Sequence, residues 1–312
     1  MKGGSKMSEI TASLHAKPAK KKKLNHYTGF DYFLIVFMGL LALITAFPFY
    51  YMLIVSFGTY EDIHAQSIYL WPTVFDTSAY ELVIGNAQFW SSVRNTLFVT
   101  VVGTALSVVI MVAAAYPLTK KTLFGGKFFF NMLIFTMFFG GGMIPGYLVV
   151  EQLGLGNSIW CMIFPCLIGP FNIILIKNYI EDLPLAIEES AKIDGANDMV
   201  ILFKIILPMS TPIIATVALF VAVGNWNSYW MAMLHINKPN LYPLQLLLRN
   251  MLLNTTNSMT GVKAAIIAQE KSVYDLSLQM ATVTVATVPI LVVYPFVQKY
   301  FTKGIMLGGV KG

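Results

Sequence analysis

Six stretches of this chain are apolar over lengths that match a lipid bilayer. A helix rises about 1.5 Å per residue, so crossing roughly 30 Å of hydrocarbon takes about 20 apolar residues. The stretches are residues 32–57, about 96–118, 128 to somewhere in 140–150, about 158–176, about 211–234 and about 276–297. Charged residues make up only 12% of the chain and hydrophobic ones 56%, against about 25% charged in an ordinary soluble domain. A soluble protein with an unusually apolar core would not gather its apolar residues into blocks of this length. The expected fold is an all-α integral membrane protein with six transmembrane helices.

Charge sets the expected orientation. Lys and Arg concentrate in cytosolic connections. With the N-terminus inside, sixteen of the 21 basic residues fall on the cytosolic side. They are seven lysines before residue 24, then Lys120, Lys121, Lys127, Lys177, Lys192, Lys204, Lys299, Lys303 and Lys311. The outer side holds Arg94, Lys238, Arg249, Lys263 and Lys271. Both termini are therefore expected in the cytosol. Residues 1–30 read as a basic tail near anionic lipid, 31–57 as the first span and 58–91 as an extracellular loop. That loop carries Glu61, Asp62, Asp76 and Glu81 but no Lys or Arg. Residues 92–304 hold the other five spans, with a cytosolic loop at 178–208, and 305–312 form a C-terminal tail. A secretory signal is disfavoured, because the first apolar run is too long and no small-residue cleavage site follows it.

Several chemistries are excluded or unsupported. Gly125-Gly126-Lys127-Phe128 lacks the spacing and the hydroxyl of a phosphate-binding loop, so an ATPase would be a separate polypeptide. His15, His26, His64 and His235 are scattered and suggest neither a metal nor a catalytic site. Cys161 and Cys166, five residues apart, do not share a helix face and read as inert thiols. The net charge of +6 is carried by the tail and does not call for nucleic acid. Ion-coupled secondary transport remains the alternative. It would place ionisable groups inside the spans, whereas only Arg94 and Lys177 lie near span ends. No internal repeat supports it either.

The loop at 178–208 is amphipathic. Pro184 suits the first turn of a helix, Glu188 and Glu189 fall early in it, and Gly195 sits where it would stop. A second helix follows through Met199 to Ile206, and Pro208 leads into the fifth span. Two short helices joined at a glycine could serve as a docking knob or simply tether two spans. The order Glu189-Ser190-Ala191, three residues, Gly195, nine residues, Ile205-Ile206-Leu207-Pro208 resembles the EAA loop of ATP-binding-cassette (ABC) importer permeases, with Ser190 in place of the first alanine. Gly224-Asn225-Trp226-Asn227-Ser228, the run Lys299 to Gly304 and the ending Gly308 to Gly312 are similar to the maltose-permease G-type carbohydrate subfamily, in its lipoprotein and polysaccharide-importer branch.

The resemblance implies a type I ABC importer permease in the bacterial cytoplasmic (inner) membrane. It implies that Glu188, Glu189, Ser190, Ala191, Asp194, Gly195, Ala196, Ile205, Leu207 and Pro208 form the surface that docks on the ATPase, and that the C-terminal tail with Lys311 and Gly312 reaches toward the same interface. It implies a second, homologous permease subunit, two ATPase subunits that bind ATP and Mg, and an extracellular solute-binding lipoprotein delivering a sugar or oligosaccharide. This chain itself would hold no cofactor. Sugars are met by aromatic faces and amides, which makes Asn225, Trp226, Asn227, Ser228, Tyr229 and Trp230 substrate-path candidates. Interface anchoring by the aromatics and helix joining by the asparagines are the competing readings. Trp71, Trp90 and Trp160 read as interface anchors. Gly140-Gly141-Gly142 with Pro145-Gly146 marks a broken or closely packed third span.

Overall fold

The longest helix, α4 (Ala87–Leu118), carries a buried stripe from one end to the other, and the three larger buried clusters each include part of it. The computed structural model describes residues 28–65, 70–253, 276–289 and 291. The basic tail, the loop 254–275 and the chain from Lys299 onward lie outside them. Before α4 come α1 (Gly29–Val55), α2 (Tyr60–Ala65) and α3 (Ser78–Gly85). After it come α5 (Gly126–Phe138), α6 (Met143–Gln152), two 3-10 turns (Ile159–Met162 and Phe164–Cys166) and α7 (Pro170–Glu181). Then follow α8 (Leu185–Ile193), α9 (Asp198–Met209), α10 (Thr211–Trp226), α11 (Trp230–His235), α12 (Leu244–Leu253) and α13 (Leu276–Pro289). No strand occurs among the described residues. The chain divides into two units, up to Tyr50 and from Tyr51 onward. The packing below belongs to the second.

Where it is described, each expected apolar stretch is helical, but among the described residues only α1 and α4 are unbroken helices long enough to cross a bilayer. The third stretch folds back: α5 and α6 meet at 116°. Gly142 makes that turn with φ +86°, a backbone conformation a Cβ disfavours, and Pro145 suits the first turn of α6. The fourth begins as 3-10 turns and continues into α7 across a bend of 46°, with Pro170 as the first residue of α7. The fifth stops at Trp226 rather than Leu234, and the chain restarts as α11. Of the sixth, α13 is described as far as Pro289.

The buried stripe of α4 runs Phe89, Ser92, Thr96, Val99, Gly103, Ser107, Met111, Ala115. These steps of three and four residues keep one helix face inward. Most of the stripe is small or hydroxyl-bearing, which lets neighbouring backbones approach closely. At Gly103 the approach is tightest. A Cβ there would lie 2.9 Å from Asn225 Nδ2 and 3.8 Å from Ile163 Cγ1. Asn225, near the end of α10, donates to Thr104 Oγ1 of α4 at 3.4 Å. The first turns of α4 are tied to the segment before α12. Ser91 Oγ and Asn95 Nδ2 donate to the Asn240 carbonyl, and the Leu244 amide donates to Thr96 Oγ1 at 2.8 Å. The α4 N-terminus is capped by Asn86, whose side chain accepts from the Gln88 and Phe89 amides.

Gly103→Val is expected to cost about 1–3 kcal/mol by overpacking the α4–α10 contact, read as a lower melting temperature of the detergent-purified protein. Asn225→Ala in the same chain makes room and should recover part of the loss. A melting curve unchanged by Gly103→Val would remove this contact from the account.

Candidate functional site

The loop 178–208 folds as the two-helix knob its punctuation suggested. Pro184 occupies the position just before α8, with φ −60° and ψ 117°, and its carbonyl accepts from the Ile187 amide. At the other end, the Gly195 amide donates to the Lys192 carbonyl and the Ala196 amide to the Ala191 carbonyl, both at 3.0 Å. This pair of bonds is a Schellman closure, and Gly195 supplies the left-handed residue it requires at φ +79°. A Cβ on Gly195 would meet nothing within 4 Å of this chain. The chain's own demand for glycine here is therefore backbone conformation, worth roughly 1–2 kcal/mol. Asn197 then caps α9 by accepting from the Val200 amide.

Pro208 lies inside α9 and has no N–H to give, and its ring needs space beside the carbonyl of Lys204. Residues Leu202–Ile206 take the wider π-turn, with the Leu207 amide donating to the Leu202 carbonyl. The insertion eases the helix past the proline.

The knob has two faces. Inward, Leu183, Ala191, Ala196 and Leu207 pack against a cluster built from Ile201, Leu202 and Ile206 with Met111, Ala115, Ile173 and Ile176. Outward, Glu189, Ser190, Asp194, Gly195 and Pro208 are exposed, beside Leu185, Met199, Phe203 and Ile193, the last 87% exposed. Ile205 is half-buried. An acidic and apolar surface is thus held on a buried base.

Glu188 belongs to neither face. Its carboxylate lies between Lys120 Nζ at 2.5 Å and Lys192 Nζ at 2.9 Å. Lys120 follows the end of α4 and also sits 4.1 Å above the Tyr116 ring. The Tyr116 hydroxyl donates to the Asp198 carbonyl at 3.4 Å. Partial burial raises the Glu188 carboxyl, but the hydrogen bonds and charges of the two lysines outweigh it and hold it below its ordinary 4.5. Glu188 holds Lys192 up in return.

The substrate-path candidates separate. Asn225 joins α10 to α4. Trp226 packs on the cluster of Phe89, Leu244, Leu247 and Leu248, and its indole N–H has no partner among the described residues. Asn227 is exposed and donates back to the Val223 carbonyl at 2.9 Å. Ser228 is half-buried, while Tyr229 and Trp230 are exposed. The Arg249 guanidinium of α12 lies 5.8 Å above the Tyr229 ring.

One polar group was missed in the sequence. His235, read there as isolated, is buried with its Nδ1 3.1 Å from Glu151 Oε1 and its ring stacked on Tyr147 at 4.8 Å. The Asn157 amide donates to the His235 carbonyl, and the Asn157 side chain accepts from the Asn237 amide at 2.7 Å. The partners are too distant in sequence for spacing to reveal them.

Residues 97–307 match the family described as the binding-protein-dependent transport system inner membrane component. The chain belongs to this family. The membership makes it a multi-pass membrane component of a binding-protein-dependent transporter and displaces the ion-coupled alternative. Protein LplC of Bacillus subtilis (strain 168) is 42% identical over 91% of this chain and 95% of its own length. The polygalacturonan/rhamnogalacturonan transport system permease protein YtcP of the same organism is 41% identical over 91% of this chain and 98% of its own. The fold is that of a type I ABC permease. A chain from the crystal structure of a bacterial ABC transporter involved in import of the acidic polysaccharide alginate superposes with a TM-score of 0.81. It is 32% identical, over 88% of this chain and 99% of that one.

Because the Glu188 carboxyl is held down, its ion pairs contribute stability above pH 4.5 and lose it as pH falls through the lowered value. Hydrogen-exchange protection of the α8 amides, corrected for intrinsic rates, is expected to stay level from neutral pH down to about 4.5 and to fall below it. Glu188→Gln should lower the protection at neutral pH and flatten the acid step. Wild-type protection in that variant would show that the lysines do not pin α8.

Proposed function

We propose that this chain is the permease subunit of an ABC importer that carries a sugar or oligosaccharide into the cell, with the 178–208 knob docking on a separate ATPase. The observation that carries the reading is the two-faced knob. Its inner face is locked to the transmembrane core, and its outer face presents Glu189, Asp194 and exposed apolar side chains around a glycine with open space before it. A domain that moved against this face would pull on the spans rather than on a loose loop. The type of cargo is supported by the relatives named for pectic polysaccharides and for alginate.

The rest of the assembly follows the same reading. A second homologous permease completes the membrane pathway. Two ATPase subunits bind ATP and Mg below it, and a binding protein delivers the sugar outside. Glu188, Ala191 and Ala196 hold the knob, and Glu189, Ser190, Asp194 and Gly195 lie at the docking surface. Ile205, Leu207 and Pro208 set the helix that returns to the membrane. The 1–30 tail and the 305–312 tail lie in the cytosol, 58–91 lies outside, and 92–304 is the transport core. Nucleotide on one side and loaded binding protein on the other bias a two-state element between inward and outward access.

Gly195→Asp puts a charged side chain into the open space before the knob and strains one left-handed residue. The variant should reach the membrane in normal amount. Purified in mild detergent, it should carry less ATPase than wild type by mass spectrometry and should support no sugar uptake. Normal uptake with a full complement of ATPase would overturn the docking role. A wild-type chain that purifies with no ATPase, even after cross-linking, would overturn the importer reading.

A further inference from the structure

We propose that Arg249, seated over Tyr229, reads the carboxylate of an acidic oligosaccharide, so that the cargo is a uronate-containing sugar rather than a neutral one. The inference rests on the sugar-import reading and narrows it. Arg249 is half-buried on α12, off the face that packs Leu244, Leu247, Leu248 and Met251 into the core. Among the described residues no carboxylate lies within ion-pair distance of it. A guanidinium partly removed from water without a counter-anion is unfavourable. The Tyr229 ring 5.8 Å away offsets some of that cost through its negative face, but among the described residues it leaves the planar fork of N–H donors without an anion. A carboxylate satisfies that fork in bidentate fashion, whereas a sugar hydroxyl uses little of the charge.

The surroundings fit a sugar. Tyr229 belongs to the break between α10 and α11, where Asn227 and Trp230 are also exposed. Exposed aromatic faces and an amide beside a cation are the chemistry that a pyranose ring bearing a carboxylate would meet. The position also fits. α10 spans 16 residues from Thr211, next to the knob, to Trp226. That is about 24 Å of helix, so the pair lies at the far end of the fifth span from the docking loop. Two relatives point the same way: YtcP is named for polygalacturonan, and the structural relative takes the acidic polysaccharide alginate.

The test is uptake by the complete importer in its host, with labelled trigalacturonate, an alginate trisaccharide and neutral galactotriose as probes. Wild type should take up at least one of the acidic probes. Arg249→Gln should raise the KM for that probe by about tenfold to a hundredfold, the loss of one charged hydrogen-bonded contact, with its abundance in the membrane unchanged. Arg249→Lys keeps the charge without the fork and should fall between the two. It also gives a second reading if Arg249→Gln fails to accumulate. Equal losses for acidic and neutral probes, or no loss, would overturn the role of Arg249. Uptake of galactotriose alone by wild type would overturn the acidic class and leave sugar import standing. Uptake of neither kind of oligosaccharide would overturn the sugar reading, and this one with it.

Discussion

Close packing along one face of α4 is the constraint on which the second unit depends. A membrane-embedded helix gains little from hiding apolar side chains, because lipid is as apolar as leucine. What holds helices together is close contact and the hydrogen bonds that close contact permits. The α4 stripe supplies both: Gly103 brings α10 close enough for Asn225 to reach Thr104, and Thr96 and Asn95 take up backbone groups of the segment before α12. At its other end Met111 and Ala115 pack with α7 and with the base of the knob. One helix of 32 residues, about 48 Å long, therefore contacts elements at both extremes.

That continuity gives the knob its mechanical meaning. A surface loop is ordinarily the softest part of a domain. This one is closed at Gly195 by two backbone hydrogen bonds, buried along its inner side, and tied by Glu188 to a lysine at the end of α4. Each tie is modest alone: a partly exposed ion pair contributes little, and a cap about 1 kcal/mol. Together they act on one short helix from three directions, so the knob follows the core as a body.

Much of this was legible in the sequence, and the reason differs by feature. Hydropathy over membrane length located the first five stretches and the described start of the sixth, because burial in lipid acts on composition. Pro184 and Gly195 were informative because each has a backbone preference that survives any tertiary context. Hydropathy carries no direction, however. It could not say that α5 and α6 meet at 116° or that the fifth span stops at Trp226. The glycines at 140–142 signalled a break without its angle. The Lys120–Glu188 and Glu151–His235 pairs join residues 68 and 84 positions apart, and only the packing of helices brings them together.

The breaks themselves follow a pattern that hydropathy hides. Away from water, irregular backbone is tolerated where it is buried in protein or lines a watered cavity. The chain places His235 and Glu151 beside the α6 and α11 ends, and Asn227, Tyr229 and Arg249 at the α10 break. Opposite them, past α10 and α4, stands the knob, where polar groups are consumed in caps and ion pairs. The two ends therefore do different physical work. One end uses its polar groups to fix a shape, and the other leaves several exposed beside interrupted helices. A transporter driven from one side and loaded from the other needs that asymmetry, and α4 and α10 are the elements that join its two halves.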